Sequence, residues 1–263
     1  MRTFAFVMSA CLIASAVKAD DKTNDARAIV DRAIQAHGAE KMAKVKAETW
    51  KTKGSFLAMG NPWPYTGEYT FVHPDKMRFD FHMGSGDQKM EMTMVLDGQK
   101  GWESGGGQLA DLTKKKAEEF QHKAYTMSLI RLLPLRDKAY TLTSLGDSKV
   151  RDQDFVGVKV AREGHRDVSL FFDKKTGLLA KMSTKAFDEL DGADVTEDSI
   201  FTSYSDKDGV KMFKTLTLQH DGKDYFKEEV LSHQIIEKPD LKAFAKPPEK
   251  AAESKPAEKS KTE

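Results

Sequence analysis

Seven histidines, 41 acidic residues and one cysteine are the side chains with which this 263-residue chain could do chemistry. Their spacing builds no recognisable reaction centre. There is no G-x-S-x-G elbow, no H-E-x-x-H, no Walker A loop and no G-x-G-x-x-G. Gly105 to Gly107 is not followed by a lysine and a hydroxyl. His73 and His82 would lie on neighbouring strands, but Arg78 and Asp80 assign His82 to the wet face. His165-Arg166 and His220-Asp221 abut turns, where a polar surface role is the default. The acidic run Asp188, Glu189, Asp191, Asp194, Glu197 and Asp198 reads as a solvated hairpin loop, since it fits no register of a calcium loop. Asp206 and Asp208-Gly209 imitate two positions of such a loop, but Tyr204 and Thr215 stand where its end ligands belong. The residues thus assign no catalytic group, no metal and no cofactor. Carboxylates are abundant enough to leave a paired-acid hydrolase open.

The pattern that stands out is apolar. Met77, Met83, Met90, Met92 and Met94 fall on the apolar faces of two successive strands, with Phe79 and Phe81 among them. Methionine is flexible and makes adaptable surfaces rather than rigid cores. Two readings follow: an ordinary core that uses methionine, or a deformable cavity for acyl chains.

The elements that must position these residues are mostly strands. Thr23 and Asn24 are good caps for a helix in which Ala26, Ile29, Val30, Ala33 and Ile34 recur at helical spacing, and His37-Gly38 ends it. A short helical piece over residues 39–45 follows. From Glu48 the period becomes two. Trp50, Thr52, Gly54 and Phe56 share one face. Tyr65, Tyr69, Phe71 and His73 alternate with polar residues, as do Met77 to Met83 and Met90 to Leu96. Turns fall at Asn61-Pro62, Pro74-Asp75, Gly84 to Asp87 and Asp97-Gly98, and a short strand runs through Trp102. This is an antiparallel meander of the kind that curls into a barrel-like sheet.

Thr113 to Leu133 interrupts it as a helix or broken pair carrying Phe120, Met127, Ile130 and Leu133, stopped by Pro134. Strands then resume through Val158, Leu170, Met182, Ile200, Leu216 and Phe226, giving about eleven or twelve in all. The fold class is mainly β.

The ends lie outside this domain. Residues 1–19 read as a secretory signal peptide, with Arg2 as its positive start, an apolar stretch from Phe4 to Val17, and a cut after Ala19. Cys11 lies within that stretch and is poorly placed for lipidation. Cleavage leaves no cysteine, so disulfides, thiol catalysis and zinc–thiolate sites go together. The formal charge of +1 becomes −1, which gives no case for nucleic acid. Residues 246–263 hold only Lys, Pro, Glu, Ala, Ser and Thr and read as a disordered tail. One domain over 20–245 remains.

An N-terminal helix, a long meander, a helical insertion and a second meander resemble the LolA-like periplasmic lipoprotein carriers, and more closely the outer membrane lipoprotein-sorting proteins. The residues that carry the resemblance are Ala36-His37-Gly38-Ala39, Trp50-Lys51-Thr52-Lys53-Gly54 and the segment from Val95-Leu96-Asp97-Gly98 to Trp102. Val156 to Val160, Phe172 to Leu179 and Tyr204 to Val210 continue it, so it spans residues 22–247. These are turns and strand edges, which speak to fold more than to activity.

The resemblance implies a strongly curved, half-open antiparallel barrel with helices closing its mouth. It implies a ligand of lipoprotein acyl chains or free lipid, membrane-bound donor and acceptor proteins, and a monomer in the periplasm. The expected cavity residues are Trp50, Phe56, Tyr69, Phe71, Met77, Phe79, Phe81, Met83, Met90, Met92, Met94 and Trp102. The expected lid is residues 105–134, with Phe120, Met127, Ile130 and Leu133 facing inward. The carriers tune release with a basic residue on an early strand; Lys51 and Lys53 lie in that region without aligning to it. A lipid sensor, a structural envelope protein and a secreted hydrolase are the alternatives.

Overall fold

The computed structural model describes residues 19–57, 62–85, 88–150 and 152–248. The expected leader, apart from Ala19, and residues 249–263 of the expected tail lie outside them.

Helix α1 (Ala19–His37) begins earlier than the Thr23-Asn24 caps predict. It turns Ala26, Val30, Ala33 and Ile34 inward and rests on the second half of the sheet. Gly38 ends it at φ 62°, and a Cβ there would lie 1.9 Å from the Gly209 carbonyl oxygen, so only glycine lets this turn close. A 3-10 turn at Ala39–Met42 replaces the longer helical piece expected there.

The first meander comprises β1 (Ala47–Phe56), β2 (Trp63–Val72), β3 (Lys76–Ser85), β4 (Gln88–Asp97), β5 (Lys100–Gly105) and β6 (Gln108–Asp111). Helix α2 (Lys114–Ile130) follows, capped by the Thr113 hydroxyl, which accepts from Lys116 N at 3.3 Å. A 3-10 turn with Pro134 in its first turn ends the insertion. The second meander comprises β7 (Thr141–Val150), β8 (Gln153–Ala161), β9 (Val168–Asp173), β10 (Leu179–Asp188), β11 (Ala193–Lys207), β12 (Val210–His220) and β13 (Lys223–Ile235).

The thirteen strands of the described residues form one curved, open antiparallel sheet in the order β6-β5-β4-β3-β2-β1-β13-β12-β11-β10-β9-β8-β7. Every neighbour in that order is also a neighbour in sequence except β1 and β13, whose ladder runs from Glu48 opposite Ile235 to Phe56 opposite Phe226. β6 is one strand more than the sequence predicts. It occupies the start of the segment expected to be lid, which leaves α2 as the long helix of that segment. No described helix is long and apolar enough to cross a membrane.

The sheet buries both faces unequally. The main core lies on the inner face, between the sheet and the two helices. A small second core lies on the outer face: Val95, Trp102 and Phe244. There Trp102 Nε1 donates to the Phe244 carbonyl oxygen at 2.9 Å, and Arg78 donates to the Ala243 carbonyl at 2.7 Å. The segment after β13 thus crosses back over the outside of β3 to β5. Phe244→Ala should cost about 3 kcal/mol, the usual loss for a buried phenyl ring. Urea unfolding checks this, and a change below about 0.5 kcal/mol would show the strap to be dispensable.

Candidate functional site

Helix α2 touches β4 in the first meander and β10 in the second, so it bridges the open sheet across its inner face. A cavity of about 330 Å³ lies beneath it. Lys116, Glu119, Phe120, Lys123, Met127 and Ile130 line it from the helix. They follow one another at three- or four-residue steps, with one step of one, and so form a single helical face.

The sheet supplies an aromatic wall. Trp50, Phe56, Tyr69, Phe79, Phe81 and Met94 line it from the first meander. Phe79 meets Phe120 of the helix edge-on, with centroids 5.1 Å apart, and Tyr69 at 4.6 Å. The second meander contributes Phe201, Phe213, Leu216, Leu218 and Phe226, with Phe187 and Tyr225 at its rim.

The structure sorts the sequence-predicted residues into groups. Trp50, Phe56, Tyr69, Phe79, Phe81 and Met94 line the cavity together with Phe120, Met127 and Ile130. Phe71 lines a smaller void of about 50 Å³, shared with Trp50, Met127 and Ile130. Met77 and Met83 are buried in the core, and Met92 packs partly buried against it. Leu133 also packs on the core, from the 3-10 turn beyond α2.

Two residues are elsewhere. Met90 is 40 % exposed, since it lies near the free end of the β3–β4 hairpin, beyond the reach of α2. Trp102 belongs to the outer face, because it stands opposite Val95, and Val95 stands opposite Arg78. Only Met94 of the five strand methionines lines the cavity, so its wall is aromatic rather than methionine-rich. Lys51 and Lys53 are also on the outer face, paired to Glu68 at 3.5 Å and Glu229 at 3.0 Å. His82 pairs with Glu91 there, apart from His73. Among the described residues no group of three or more His, Cys, Asp or Glu is placed to hold a metal ion.

The rim is charged. Lys116 Nζ lies 2.7 Å from Glu103 on β5 and 3.7 Å from Glu189 in the β10–β11 turn. Lys123 lies 3.1 Å from Glu197 on β11. Glu119 pairs with Arg166 and accepts from Phe187 N at 3.2 Å. The acidic run expected to be a solvated loop is therefore partly structural: Asp188 and Glu197 flank His220 at 2.7 and 3.6 Å. Burial would raise the Glu197 carboxyl, but Lys123 and His220 outweigh it and hold it at about 2. Burial likewise opposes the charge on His220, yet Glu197 and Asp188 lift it above its ordinary value. His122, on the side of α2 toward Thr184, is pushed down to about 4 by burial and by Arg166.

Glu48 lines the smaller void. Its two oxygens meet His73 Nε2 at 2.8 Å and His233 Nε2 at 2.6 Å, and Trp50 Nε1 donates to it at 3.2 Å. Burial works to raise this carboxyl, and the bonds from His233 and His73 hold it well below its ordinary value of 4.5. A lowered folded pKa means that the contribution is complete above about 4.5 and is lost as pH falls below it. Melting temperature should therefore drop steeply from pH 5 to pH 3, and Glu48→Gln should flatten that limb. Parallel curves for the two proteins would remove Glu48 from the account.

The comparisons with known proteins concern this architecture. No protein-family model matches the sequence, and no curated protein matches it. Solved structures do. A LolA superfamily protein from Nitrosomonas europaea superposes over 84 % of this chain and 97 % of its own, with TM-score 0.54 and 10 % identity. The fold is LolA-like. A DUF1329 family protein from Desulfovibrio piger shares the LolA-like fold over 84 % of this chain and 99 % of its own, at TM-score 0.55 and 9 % identity. An outer membrane lipoprotein-sorting protein domain from Vibrio parahaemolyticus does so over 86 % and 97 %, at 0.52 and 11 %. The curved mainly-β sheet expected from the sequence is thus the sheet that the LolA-like fold uses.

Proposed function

We propose that this protein is a non-catalytic binder of acyl chains, exported by the leader at residues 1–19, that carries lipoproteins or lipids through the periplasm. The observation that carries the reading is the aromatic cavity between the sheet and α2 in a LolA-like fold. Each CH₂ moved from water to such a wall is worth about 0.8 kcal/mol. A carrier must also release its load, and a helix held over the cavity by rim ion pairs is a lid that can lift. The protein acts as a monomer between membrane-bound donor and acceptor proteins. The similarity to a lipoprotein-sorting domain supports this client class.

Native mass spectrometry of the protein, purified without detergent from its own envelope, tests the reading. A bound acylated peptide or lipoprotein is the expected result. A bound free lipid would make it a sensor or shuttle. An empty protein that also ignores added lipid would make the wall simply a core.

A second reading has one observation in its favour. Two cavity carboxylates are pushed apart, Glu228 above and Glu197 below the ordinary range, as an acid–base pair requires. Both are already engaged, Glu197 by Lys123 and His220 and Glu228 by two tyrosines. Turnover of a glycoside or ester that Glu228→Gln abolishes would favour a hydrolase.

A further inference from the structure

Glu228 is a buried carboxyl on the cavity wall, which also carries Ser199 and, toward the charged side, Asp188, Glu197 and His220. It stands on β13 between Gly54 of β1 and Leu216 of β12, and it lines the cavity. It is only 7 % exposed. Tyr65 and Tyr69 reach it from β2, donating to Oε2 at 2.8 and 2.5 Å. Gly54 makes the first of these possible, since a Cβ at that position would lie 2.6 Å from the Tyr65 ring. Burial raises the carboxyl above its ordinary value despite the two tyrosine bonds, and Lys123 on the lid works weakly in the other direction.

A wall meant only for hydrocarbon gains nothing from such a group, because an imperfectly paired buried carboxyl costs stability. Two tyrosines share one of its oxygens and hold the group in place, with the Thr52 hydroxyl beside it; a carboxyl accepts more bonds than these, and the cavity it lines is where the remainder can be used.

We propose that the cavity selects a hydroxyl-bearing amphiphile, whose hydroxyl donates to Glu228 on the sheet wall. The proposal rests on the lipid-binding reading and names its ligand class. Glu228 is then a specificity residue: a chain lacking the hydroxyl strips water from the carboxyl and returns no hydrogen bond.

The test compares dodecanoic acid with 12-hydroxydodecanoic acid by isothermal titration calorimetry. The wild-type protein should bind the hydroxy acid about tenfold more tightly, the usual worth of a hydrogen bond to a charged or acidic group. Glu228→Met should lose or invert that preference, and Glu228→Gln, which keeps an acceptor, should retain most of it. The wild-type ratio and the glutamine variant decide the matter even where the methionine variant does not fold. Equal binding of the two acids by the wild type would overturn the role of Glu228 and leave the lipid cavity standing. A preference that survives Glu228→Met would do the same. Binding of neither acid would overturn both.

Discussion

Phe79→Asp should cut acyl-chain affinity on the order of a thousandfold, while Phe79→Leu should change it by less than about tenfold. Phe79 sits where the wall meets the lid, edge-on to Phe120 and Tyr69 and opposite Met94. An aspartate there keeps its water only while the cavity is empty of hydrocarbon. Filling the cavity strips that water at a cost of several kcal/mol, which cancels the gain from five or so methylenes. Leucine removes the ring but leaves the wall apolar. Tryptophan fluorescence with a displaced fluorescent fatty acid measures both variants, and circular dichroism confirms the strands. Equal binding by Phe79→Asp and the wild type would place the ligand elsewhere.

Replacing Lys116 and Lys123 together with methionine should speed ligand release by about tenfold or more and lower the melting temperature at neutral pH. Both lysines are half-buried at the rim, and each ties α2 to an acid of the sheet or its turn. Removing them leaves Glu197 with His220 as its remaining cationic partner. A buried carboxylate losing its counter-charge costs about 3 kcal/mol, and lifting the lid away relieves that cost. Stopped-flow displacement reads the release rate. Raising salt should speed release from the wild type more than from the double variant. Unchanged rates would show that the lid is held by packing alone.

The sheet was legible in the sequence because its strands alternate cleanly: Met77, Phe79 and Phe81 face inward and Arg78, Asp80 and His82 outward, as their chemistry requires. β6 was not, because Gln108–Asp111 is a short edge strand with no buried residue and so no alternation to read. Trp102 carried an ambiguous signal. An apolar residue in a strand must face some core, but which one depends on Phe244, 142 residues away. The same distance problem hid half of the site. Phe201, Phe213 and Phe226 are ordinary strand aromatics until the second meander folds over against α2. Glu228 shares a face of β13 with Phe226, but its partners Tyr65 and Tyr69 are 163 and 159 residues away in the chain. The methionines point to β3 and β4, but the helix covers only part of their length, and Met90 and Met92 do not line the cavity.

The single ladder joining β1 to β13 also sets the order in which the chain can fold. Every other pairing closes a local hairpin, at little entropic cost. This one waits for residue 223 onward, so the first meander must stand complete with the long flank of β1 unpaired. An open flank of that kind invites other chains to add to it. Lys51 and Lys53 stand on that strand with their charges outward, and charge on an exposed strand discourages such additions. Once β13 arrives, Lys53 finds Glu229 directly across the seam, and the guard of the half-made protein becomes a cross-strand pair of the finished one.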